Sequence, residues 1–385
     1  MSKKSHINLL VLPELFPEFE GDWKGVFIED YLQSVKHINP HTLYVRLSGK
    51  EKGVKDENYK GQFSLKRFTL TDKKVSDFLK PFYYIQWFLK GVKLGKSYTN
   101  TTIIHAHGAI LNGTLAYLIG KKLRVSFVVT EHTGPYNRIL NSWIKSTISK
   151  FIFNKAAKVL VVSEHQKKEV LKLGIPEEKV LVSYNPVNTD LFHIAVESAF
   201  KNIVFVSRLD EFKGGLRTVK AFHQICDQFA DYTLTIVGDG EEFEAIQQYV
   251  LTNNLSEKII LKGTLTKLQI AEVLGKSSLF VLGKSSLFVF PSRHETFGLV
   301  VAEALSCGLP VVCTNRTAPK EFINDKNGIL VEPDNVDEIA EAMKQIIKNK
   351  GAYNSMLIRQ QIEERFGMNS FGEYLIGVYE SVIKN

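Results

Sequence analysis

Two cationic side chains are the first candidates for chemistry. Arg208 and Lys213 lie in one short turn, Ser207–Gly215, directly after the apolar run Ile203–Val206. A guanidinium fork and an ammonium group at such a turn are suited to phosphate oxygens. If phosphate were a leaving group, both cations would stabilise the negative charge that develops on it. The alternative is two solvated cations near the start of a helix.

A second segment, residues 295–310, places two glutamates on either side of a glycine. Glu295 precedes Gly298, and Glu303 follows it inside a predicted helix. Free N–H groups at the start of a helix bind anions such as a diphosphate. Carboxylates accept hydrogen bonds from vicinal hydroxyls, as a sugar or a ribose presents them. The segment therefore predicts a site for a sugar diphosphate, unless it is a surface glutamate pair beside a buried helix.

Polar residues also follow apolar runs in the first half of the chain. His107 comes at the end of one run, and Glu131 and His132 come at the end of the next. His132 beside Glu131 is the better candidate for contact with a reacting sugar, although a lone histidine is often structural. His105 and His107 have no Cys or Asp neighbour that would complete a metal site, so no metal is predicted.

Two glycine turns are weaker signals. Gly25 closes the segment Gly21–Gly25 after the first apolar run and is a candidate for backbone contact with donor phosphates. A plain surface turn explains it nearly as well. Gly238 lies in Gly-Asp-Gly after another run, where a Gly-x-Gly turn alone indicates little more than a tight strand-to-helix connection.

Short apolar runs alternate with longer helical patterns along the chain. The strands and helices that they predict would position all of these candidate residues. Unalternated Val, Ile and Leu runs separated by helices are typical of parallel strands in βαβ units. They predict two doubly wound sheets, with ligands bound at the carboxyl ends of the strands in a cleft between two halves. The predicted strands are Ile7–Leu12, Leu43–Leu47, Thr102–His105, Phe127–Thr130, Val159–Val162, Lys201–Val206, Tyr232–Val237, Lys258–Lys262, Leu287–Phe290 and Pro310–Cys313.

Composition is consistent with two domains. The chain has 385 residues, 44% of them hydrophobic, and the Asn-Pro turn within Ser183–Asn188 marks a boundary. We therefore predict domains at 1–185 and 186–365, followed by a terminal segment at 366–385. Three cysteines without a CxxC pair favour a reducing, cytoplasmic setting. The apolar run near the start is too short for a signal peptide.

Charge is divided unevenly along the chain. Residues 1–185 hold 29 Lys and Arg against 16 Asp and Glu, a net charge of +13, whereas the remainder has a net charge of −5. A basic half predicts an anionic partner, unless it is only a lysine-rich solvated surface. Residues 80–96 are aromatic around much of a helix and basic at its end. They predict either contact with an anionic membrane surface or a buried helix with a solvated lysine edge. No aromatic-interleaved basic motif for nucleic acid is present.

An eight-residue duplication interrupts the second half. Residues 273–280 read Val-Leu-Gly-Lys-Ser-Ser-Leu-Phe, and residues 281–288 repeat them. One strand is needed there. We expect the second copy to form it, because Leu287–Phe290 runs directly into Pro291. The first copy would then be extra helix or an extruded loop.

Taken together, these motifs resemble the family 4 retaining glycosyltransferases. The resemblance covers nearly the whole chain, and its most specific parts are the E-x7-E element from Glu295 to Glu303 and Arg208 with Lys213. It implies the GT-B fold, with two Rossmann-like α/β domains facing across a cleft and the last helix, residues 371–383, crossing back to the first domain. The carboxy-terminal domain would hold the nucleotide sugar and the amino-terminal domain the acceptor.

The resemblance also implies roles for individual residues. Glu295 would contact the donor sugar and Glu303 the ribose, while Arg208 and Lys213 would hold the diphosphate. His132 would approach the donor sugar from the acceptor domain, beside Glu131 and His107. Three further sets complete the donor site: the backbone of Phe297, Gly298 and Leu299 at the distal phosphate and sugar, the glycines Gly25 and Gly238, and Lys262 near the base.

The activity implied is transfer of a sugar from a UDP- or GDP-linked donor to a glycan or lipid-linked acceptor, with retention and without a metal or other cofactor. The pathway would be cell-surface polysaccharide or glycolipid synthesis, such as capsule or lipopolysaccharide. The enzyme would be cytoplasmic, with a peripheral place on the inner membrane face as one option. Two alternatives stay open: a sugar-nucleotide epimerase on the same scaffold, and a nucleotide-binding protein inactivated by the duplication at 273–288.

Overall fold

The computed structural model describes residues 7–18, 22, 25–49, 51–73, 75–194, 201–275 and 285–384. Within them the chain forms two compact units. The amino-terminal unit comprises Met1–Tyr184 and Phe371–Asn385, and the carboxy-terminal unit comprises Asn185–Ser370.

The amino-terminal unit is an α/β unit built on one sheet. Its strands are β1 (Leu9–Leu12), β2 (His41–Ser48), β3 (Gly53–Tyr59), β4 (Phe63–Thr71), β5 (Ile103–His107), β6 (Ser126–Glu131), β7 (Lys158–Val161) and β8 (Val180–Val182). Its helices are α1 (Val26–Ser34), α2 (Lys80–Gly95), α3 (Thr114–Leu123), α4 (Asn137–Leu140), α5 (Trp143–Lys155) and α6 (Glu164–Leu171).

The strand order in this sheet is β3-β4-β2-β1-β5-β6-β7-β8. All neighbours are parallel except β3 and β4, which form an antiparallel hairpin at the edge. The hairpin adds an antiparallel edge to the parallel sheet that the sequence predicts. It escaped prediction because β3 is almost entirely polar and exposed, as an edge strand bonded on one side can be.

Alternate residues of the central strands enter two different cores. Leu10 and Leu12 of β1 pack on one face, together with Trp87 of α2 and Ile152 of α5. Leu9 and Val11 pack on the opposite face. This period of two is what a sheet covered by helices on both faces requires.

The carboxy-terminal unit also has a parallel sheet, in the order β11-β10-β9-β12-β13-β14. Its strands are β9 (Asn202–Val206), β10 (Thr233–Val237), β11 (Ile259–Leu261), β12 (Ser285–Phe290), β13 (Val311–Thr314) and β14 (Gly328–Val331). Its helices are α7 (Gly215–His223), α8 (Phe243–Thr252), α9 (Lys267–Leu274), α10 (Leu299–Ser306), α11 (Val336–Lys348) and α12 (Ser355–Phe366).

The last helix, α13 (Met368–Ile383), belongs mainly to the amino-terminal unit. Leu375 and Tyr379 are fully buried in the core that contains Leu9 and Val11 of β1. Adding a Cβ to Gly372 would bring it within 2.2 Å of the backbone oxygen of Ser34, so the helix lies directly against the end of α1. The expectation that the last helix returns to the first domain is confirmed.

In the duplicated segment, the second copy forms the strand, as expected. The second copy supplies β12, which pairs with β9 and β13. Pairing with β9 shifts register between Ser285 and Leu287, a local irregularity at the point where the repeat joins the sheet. In the first copy, Val273 and Leu274 end α9, and residues 276–280 lie outside the described residues.

Residues 80–96 form α2 almost from end to end. One face is buried through Trp87, Gly91 and Gly95, and a Cβ at either glycine would collide with Leu115 or Ile119 of α3. The opposite face is exposed and apolar. The helix is therefore neither simply a buried helix with a lysine edge nor simply a surface helix. One side is buried in the core, and the exposed side is also apolar. Among the described helices, none has the length and apolar content needed to cross a bilayer.

Candidate functional site

In the carboxy-terminal unit, the candidate residues gather at the carboxyl ends of neighbouring strands. The segments after β9 and β10 are tied by hydrogen bonds from Ser207 N to Val237 O (3.0 Å) and from Leu209 N to Asp239 O (2.9 Å). Gly238, with φ 134°, permits this approach, since a Cβ there would lie 1.8 Å from the backbone oxygen of Ser207. Gly238 therefore shapes the site rather than merely closing a turn.

Arg208 projects from the end of β9 and keeps most of its surface exposed, at 68% of the side chain. Its Nε donates to Oδ2 of Asp210 at 2.7 Å, and the same carboxylate accepts from the backbone N–H of Lys213 at 3.2 Å. Asp210 was not singled out from the sequence. It orients the guanidinium, which remains accessible to an anion.

Lys213 forms an ion pair with Glu295, across the loops that follow β9 and β12. Both side chains are largely buried, and the ammonium group also lies 5.9 Å from the ring centroid of Phe290. Gly214 caps α7 with φ 85° and would collide with the backbone oxygen of Pro291 if it carried a Cβ. The structure thus brings together two predicted residues that are 82 positions apart in the sequence.

The start of α10 offers backbone donors beside this ion pair. Gly298, with φ 87°, is the N-cap and no side chain caps the helix. The N–H groups of Val301 and Ala302 bond to Gly298 O, which leaves the N–H groups of Leu299 and Val300 without a partner from within the helix. The side chain of Phe297 packs on Phe322 and Phe366 in the core. Only its backbone is available to a ligand, as the resemblance implies.

Glu303 and Lys262 lie further along the same edge. Glu303 is buried in α10 at 8% exposure, and its charge helps raise the pKa of Cys307, which burial raises first. Lys262 follows β11, with its backbone N–H bonded to Ile236 O of β10 at 2.9 Å. Glu303 thus lies within α10, and Lys262 lies directly after β11.

In the amino-terminal unit, three imidazoles stack at the carboxyl ends of β5 and β6. The rings of His105 and His107 have centroids 4.8 Å apart, and those of His107 and His132 are 5.1 Å apart. Nδ1 of His107 is 2.9 Å from Nε2 of His132. Phe27 of α1 packs against the other side of His132, at 4.8 Å between centroids. His132 is the partly accessible end of the stack.

Burial keeps the whole stack uncharged. It lowers the pKa of His105, His107 and His132 far below the ordinary value, and repulsion among the rings lowers those of His105 and His107 further. All three are neutral near pH 7. His107 has no exposed surface, and its Nε2 has no hydrogen-bond partner among the described residues. His107 was expected to face the acceptor. Because it is fully buried, it can only position His132 through their hydrogen bond.

Glu131 was also expected to face the acceptor, and its 2% exposure corrects that expectation. Its carboxylate accepts from the backbone N–H groups of Ala109 (3.2 Å), His132 (3.1 Å) and Thr133 (2.9 Å). It thereby joins the end of β6 to a π-helical turn, Ala109–Gly113, that follows β5. The role of Glu131 is to fix the backbone that carries His132.

His105 connects the stack to the last helix. Its Nδ1 is bonded to the hydroxyls of Tyr31 in α1 and of Tyr379 in α13, the latter at 2.7 Å, and its Nε2 is bonded to Oγ1 of Thr130 at 2.7 Å. Nothing in the sequence signals the two tyrosines, because they lie 348 residues apart.

Glu14 is a further carboxylate at this edge. It follows β1, and a Cβ on Gly108 would lie 2.4 Å from its Oε2, so the side chain lies over the turn that ends β5. The residue keeps an exposed surface, and desolvation of its carboxyl group over this turn, together with the neighbouring Glu131 carboxylate, raises the pKa of Glu14 to about 7. The signal that pointed to His107 and His132, a polar residue just past a strand, would also have identified Glu14.

Gly25 has φ 76° and is the N-cap of α1. A Cβ there would lie within 2.7 Å of the backbone of Leu15 and Phe16, so the glycine permits α1 to start against the segment after β1. Gly21, Trp23 and Lys24 of the same loop lie outside the described residues. Within the described part of the chain, no group of three or more His, Cys, Asp and Glu side chains is placed to hold a metal ion.

Two family models match the chain, and together they span residues 53–363. Residues 53–191 match the model described as glycosyltransferase family 4, and residues 189–363 match the model described as glycosyl transferases group 1.

Individual proteins are also similar to this chain in sequence over most of their length. An uncharacterized glycosyltransferase of Methanocaldococcus jannaschii is 29% identical over 280 residues, covering 71% of this chain and 74% of that protein. N-acetyl-alpha-D-glucosaminyl L-malate synthase of Bacillus anthracis is 25% identical over 298 residues, covering 74% of each.

Solved structures agree on the fold. The crystal structure of Anabaena HepE in complex with UDP and glucose has a TM-score of 0.73 at 17% identity, covering 98% of this chain and all of that one. Sucrose-phosphate synthase of Thermosynechococcus elongatus has a TM-score of 0.72 at 17% identity, over 98% and 99% of the two chains. With its two α/β units and their matched halves, the chain has the GT-B fold and resembles the group 1, family 4 glycosyltransferases.

Proposed function

We propose that the enzyme transfers a sugar from a UDP- or GDP-linked donor to a glycan or lipid-linked acceptor, with retention at the anomeric carbon and without a metal ion. It would act in the cytoplasm, at the inner face of the membrane, in the synthesis of a cell-surface polysaccharide or glycolipid such as capsule or lipopolysaccharide. The observation that carries the proposal is the convergence of Arg208, Lys213 and the uncapped start of α10 at one sheet edge.

The donor diphosphate would bind where these positive groups meet. Arg208 and Lys213 each have a carboxylate partner, Asp210 and Glu295, which holds the cation in place before a ligand arrives. A diphosphate would share both cations, and the start of α10 would donate backbone N–H groups to it. Glu295 would then be free to accept from a hydroxyl of the donor sugar.

The remaining parts of the donor would be contacted by other residues near the strand ends. We assign Glu303 to the ribose hydroxyls and Lys262 to the neighbourhood of the base. Gly238 and Gly25 would bring backbone close to the donor. The backbone from Phe297 to Leu299 would hold the distal phosphate and the sugar.

The chemistry that this site supports is a front-face displacement. The acceptor hydroxyl attacks the anomeric carbon as the bond from that carbon to the phosphate oxygen breaks, and the leaving phosphate takes the hydroxyl proton. Negative charge grows on the diphosphate in this step, and Arg208, Lys213 and the helix N-terminus stabilise it. They supply the positive charge that a metal ion would otherwise provide.

His132 would be the contact from the acceptor unit. Its Nε2 is engaged by His107, so Nδ1 is the nitrogen left to meet a hydroxyl of the donor sugar. A neutral ring can accept or donate there, and it does not repel the positive charge that develops on the anomeric carbon.

The relatives support a UDP donor without deciding it. The Anabaena structure contains UDP and glucose, and the Bacillus relative is named for an N-acetylglucosaminyl product. Sugar-nucleotide epimerases share the scaffold but convert one nucleotide sugar into another without an acceptor, so UDP release that depends on an acceptor separates the two functions.

The testing experiment is a thermal-shift and calorimetry screen of the full chain against UDP, GDP and ADP in the presence of EDTA. We expect one nucleotide diphosphate to raise Tm and the variant Arg208→Ala/Lys213→Ala to lose that shift. Lys220→Ala is the matched control, since Lys220 is an exposed cation on α7 away from the strand end. A wild-type chain that responds to none of them would contradict the proposal.

A further inference from the structure

One face of the amino-terminal unit is strongly cationic, with the exposed carboxylate of Asp77 paired to Lys80 at its border. From Phe78 to Ala157 the chain carries eleven lysines and arginines and a single carboxylate, Glu131, whose side chain is turned inward onto backbone N–H groups. These residues include α2, α3 and α5, which pack side by side on the same core. We call the outer surface of these three helices the cationic face.

The same face exposes a stripe of large apolar side chains. Phe78, Phe82, Ile85 and Leu89 are 91%, 60%, 60% and 67% exposed. Phe78 lies in the turn before α2, and the spacing of three and four places Phe82, Ile85 and Leu89 on one side of the helix. Lys93 and Lys96 take the next positions on that side, so the stripe is apolar at the start of the helix and basic at its end.

A second exposed apolar group begins α5. Trp143 and Ile144 are 80% and 63% exposed, and the exposed Lys145 follows them directly. Helices α2 and α5 follow β4 and β6, so both begin at the carboxyl edge of the sheet, where His132 also lies. The exposed apolar groups are therefore concentrated at the edge that carries the candidate acceptor contact.

Charge decides which partner this face suits. In a symmetric dimer through it, eleven cations would oppose eleven others with no exposed carboxylate between residues 78 and 157 to offset them. An anionic phospholipid surface satisfies both features, because lysines are attracted to the head groups while Phe, Ile, Leu and Trp enter the interface.

We infer that the cationic face docks on an anionic phospholipid bilayer, with the α2 stripe and the start of α5 inserted at the head-group level. The inference rests on the proposed function, since it brings a lipid-linked acceptor to the edge that holds His132. Docking needs no nucleotide, so it can be measured independently of the donor site.

The test is co-sedimentation of the full chain with vesicles of phosphatidylcholine, and with vesicles that contain about one quarter phosphatidylglycerol. The wild-type chain should bind the anionic vesicles at least tenfold more tightly, and added salt should weaken binding because it screens exposed charges. Phe82→Ser/Ile85→Ser/Leu89→Ser and Lys90→Gln/Lys93→Gln/Lys96→Gln should each lose at least tenfold, since one lysine near such a surface contributes roughly fivefold.

Leu251→Ser/Met356→Ser is the matched control, because both side chains are exposed and apolar but belong to the carboxy-terminal unit. It should bind vesicles as the wild-type chain does. The UDP-induced Tm shift is measured on every variant. Its absence in the wild type would count against the proposed donor site while leaving the vesicle result intact.

Equal binding to neutral and anionic vesicles, or unchanged binding by the α2 variants, would overturn the inference. Sedimentation velocity addresses the competing occupant. A wild-type dimer that the Phe82, Ile85 and Leu89 variant dissociates would show that a second copy covers the stripe, and that result would also overturn it.

Discussion

The two units place functional groups at the same structural position, the carboxyl ends of parallel strands, but prepare them in opposite ways. In the carboxy-terminal unit the two cations, Arg208 and Lys213, are each held in place by a carboxylate partner, Asp210 and Glu295. In the amino-terminal unit, the stacked histidines are neutral because they are buried. A diphosphate needs fixed positive charge, whereas a sugar hydroxyl needs only a hydrogen-bonding ring, so the electrostatics of each edge match the ligand we assign to it.

The largest expected effect concerns the pH dependence of the histidine stack. Because the folded-state pKa of His105 and His107 is lowered, unfolding takes up protons below the ordinary pKa of about 6.5. Stability should therefore fall as pH falls from 7 to 5, by up to about 1.4 kcal/mol per pH unit for each histidine. Urea unfolding at pH 7, 6 and 5 measures this. A flat profile would mean that the stack is not held neutral by burial.

The next largest effect is expected when one of the two cations in the carboxy-terminal unit is removed. Lys213→Ala should lower turnover about 100-fold or more, since it removes a cation from the developing phosphate charge and leaves Glu295 unpaired. Steady-state kinetics with the donor found in the nucleotide screen measures it, with Lys220→Ala as control. Turnover within threefold of the wild type would remove the role assigned to Lys213.

A pair of glycine substitutions compares the backbones of the two edges. Gly238→Ala should cost more than about 3 kcal/mol, because its Cβ would meet the backbone oxygen of Ser207 at 1.8 Å. Gly108→Ala should cost less, since its Cβ meets only the movable carboxylate of Glu14. Denaturant unfolding of both variants measures the difference. Equal losses of stability in the two variants would show that the positive φ angle alone, 134° at Gly238 and 85° at Gly108, determines the destabilisation.

The smallest effect belongs to Glu14. Its pKa is raised to about 7, so the folded state holds a proton that the unfolded state releases between about pH 4.5 and 7. This contribution favours the folded state at low pH and is lost as pH rises through that window, opposite in sign to that of the histidines. Glu14→Gln should raise Tm slightly at pH 8 and not at pH 4.5. Thermal melts at both values test it, and an equal change at both would contradict the raised pKa.

Much of the fold followed from the sequence because unalternated apolar runs are a strong local signal. Ten strands were predicted, and each has a counterpart among β1 to β14. The hairpin strands β3 and β4 and the short strands β8 and β14 were missed. β3 is polar and exposed, so it presents no apolar run. β8 and β14, of three and four residues, are only partly buried.

The site was predicted less evenly. Arg208, Lys213, Glu295 and His132 carry motif signals, and their positions at strand ends follow from chain order. His107 and Glu131 have the right residue types, but their burial could not be read from spacing. Asp210 and Glu14 could have been noticed, whereas Tyr31 and Tyr379 could not.

The sequence by itself determined the two α/β units, the identity of the cations and carboxylates, and the repeat copy that forms β12, because these depend on residue type and local pattern. Only the tertiary structure decided which of them meet. Lys213 pairs with Glu295 because β9 and β12 are neighbours in the sheet, and His105 is held by Tyr31 and Tyr379 because α1 and α13 share its core. The charge state of the stacked histidines also followed from the tertiary structure, since burial, which spacing in the sequence does not show, lowers their pKa.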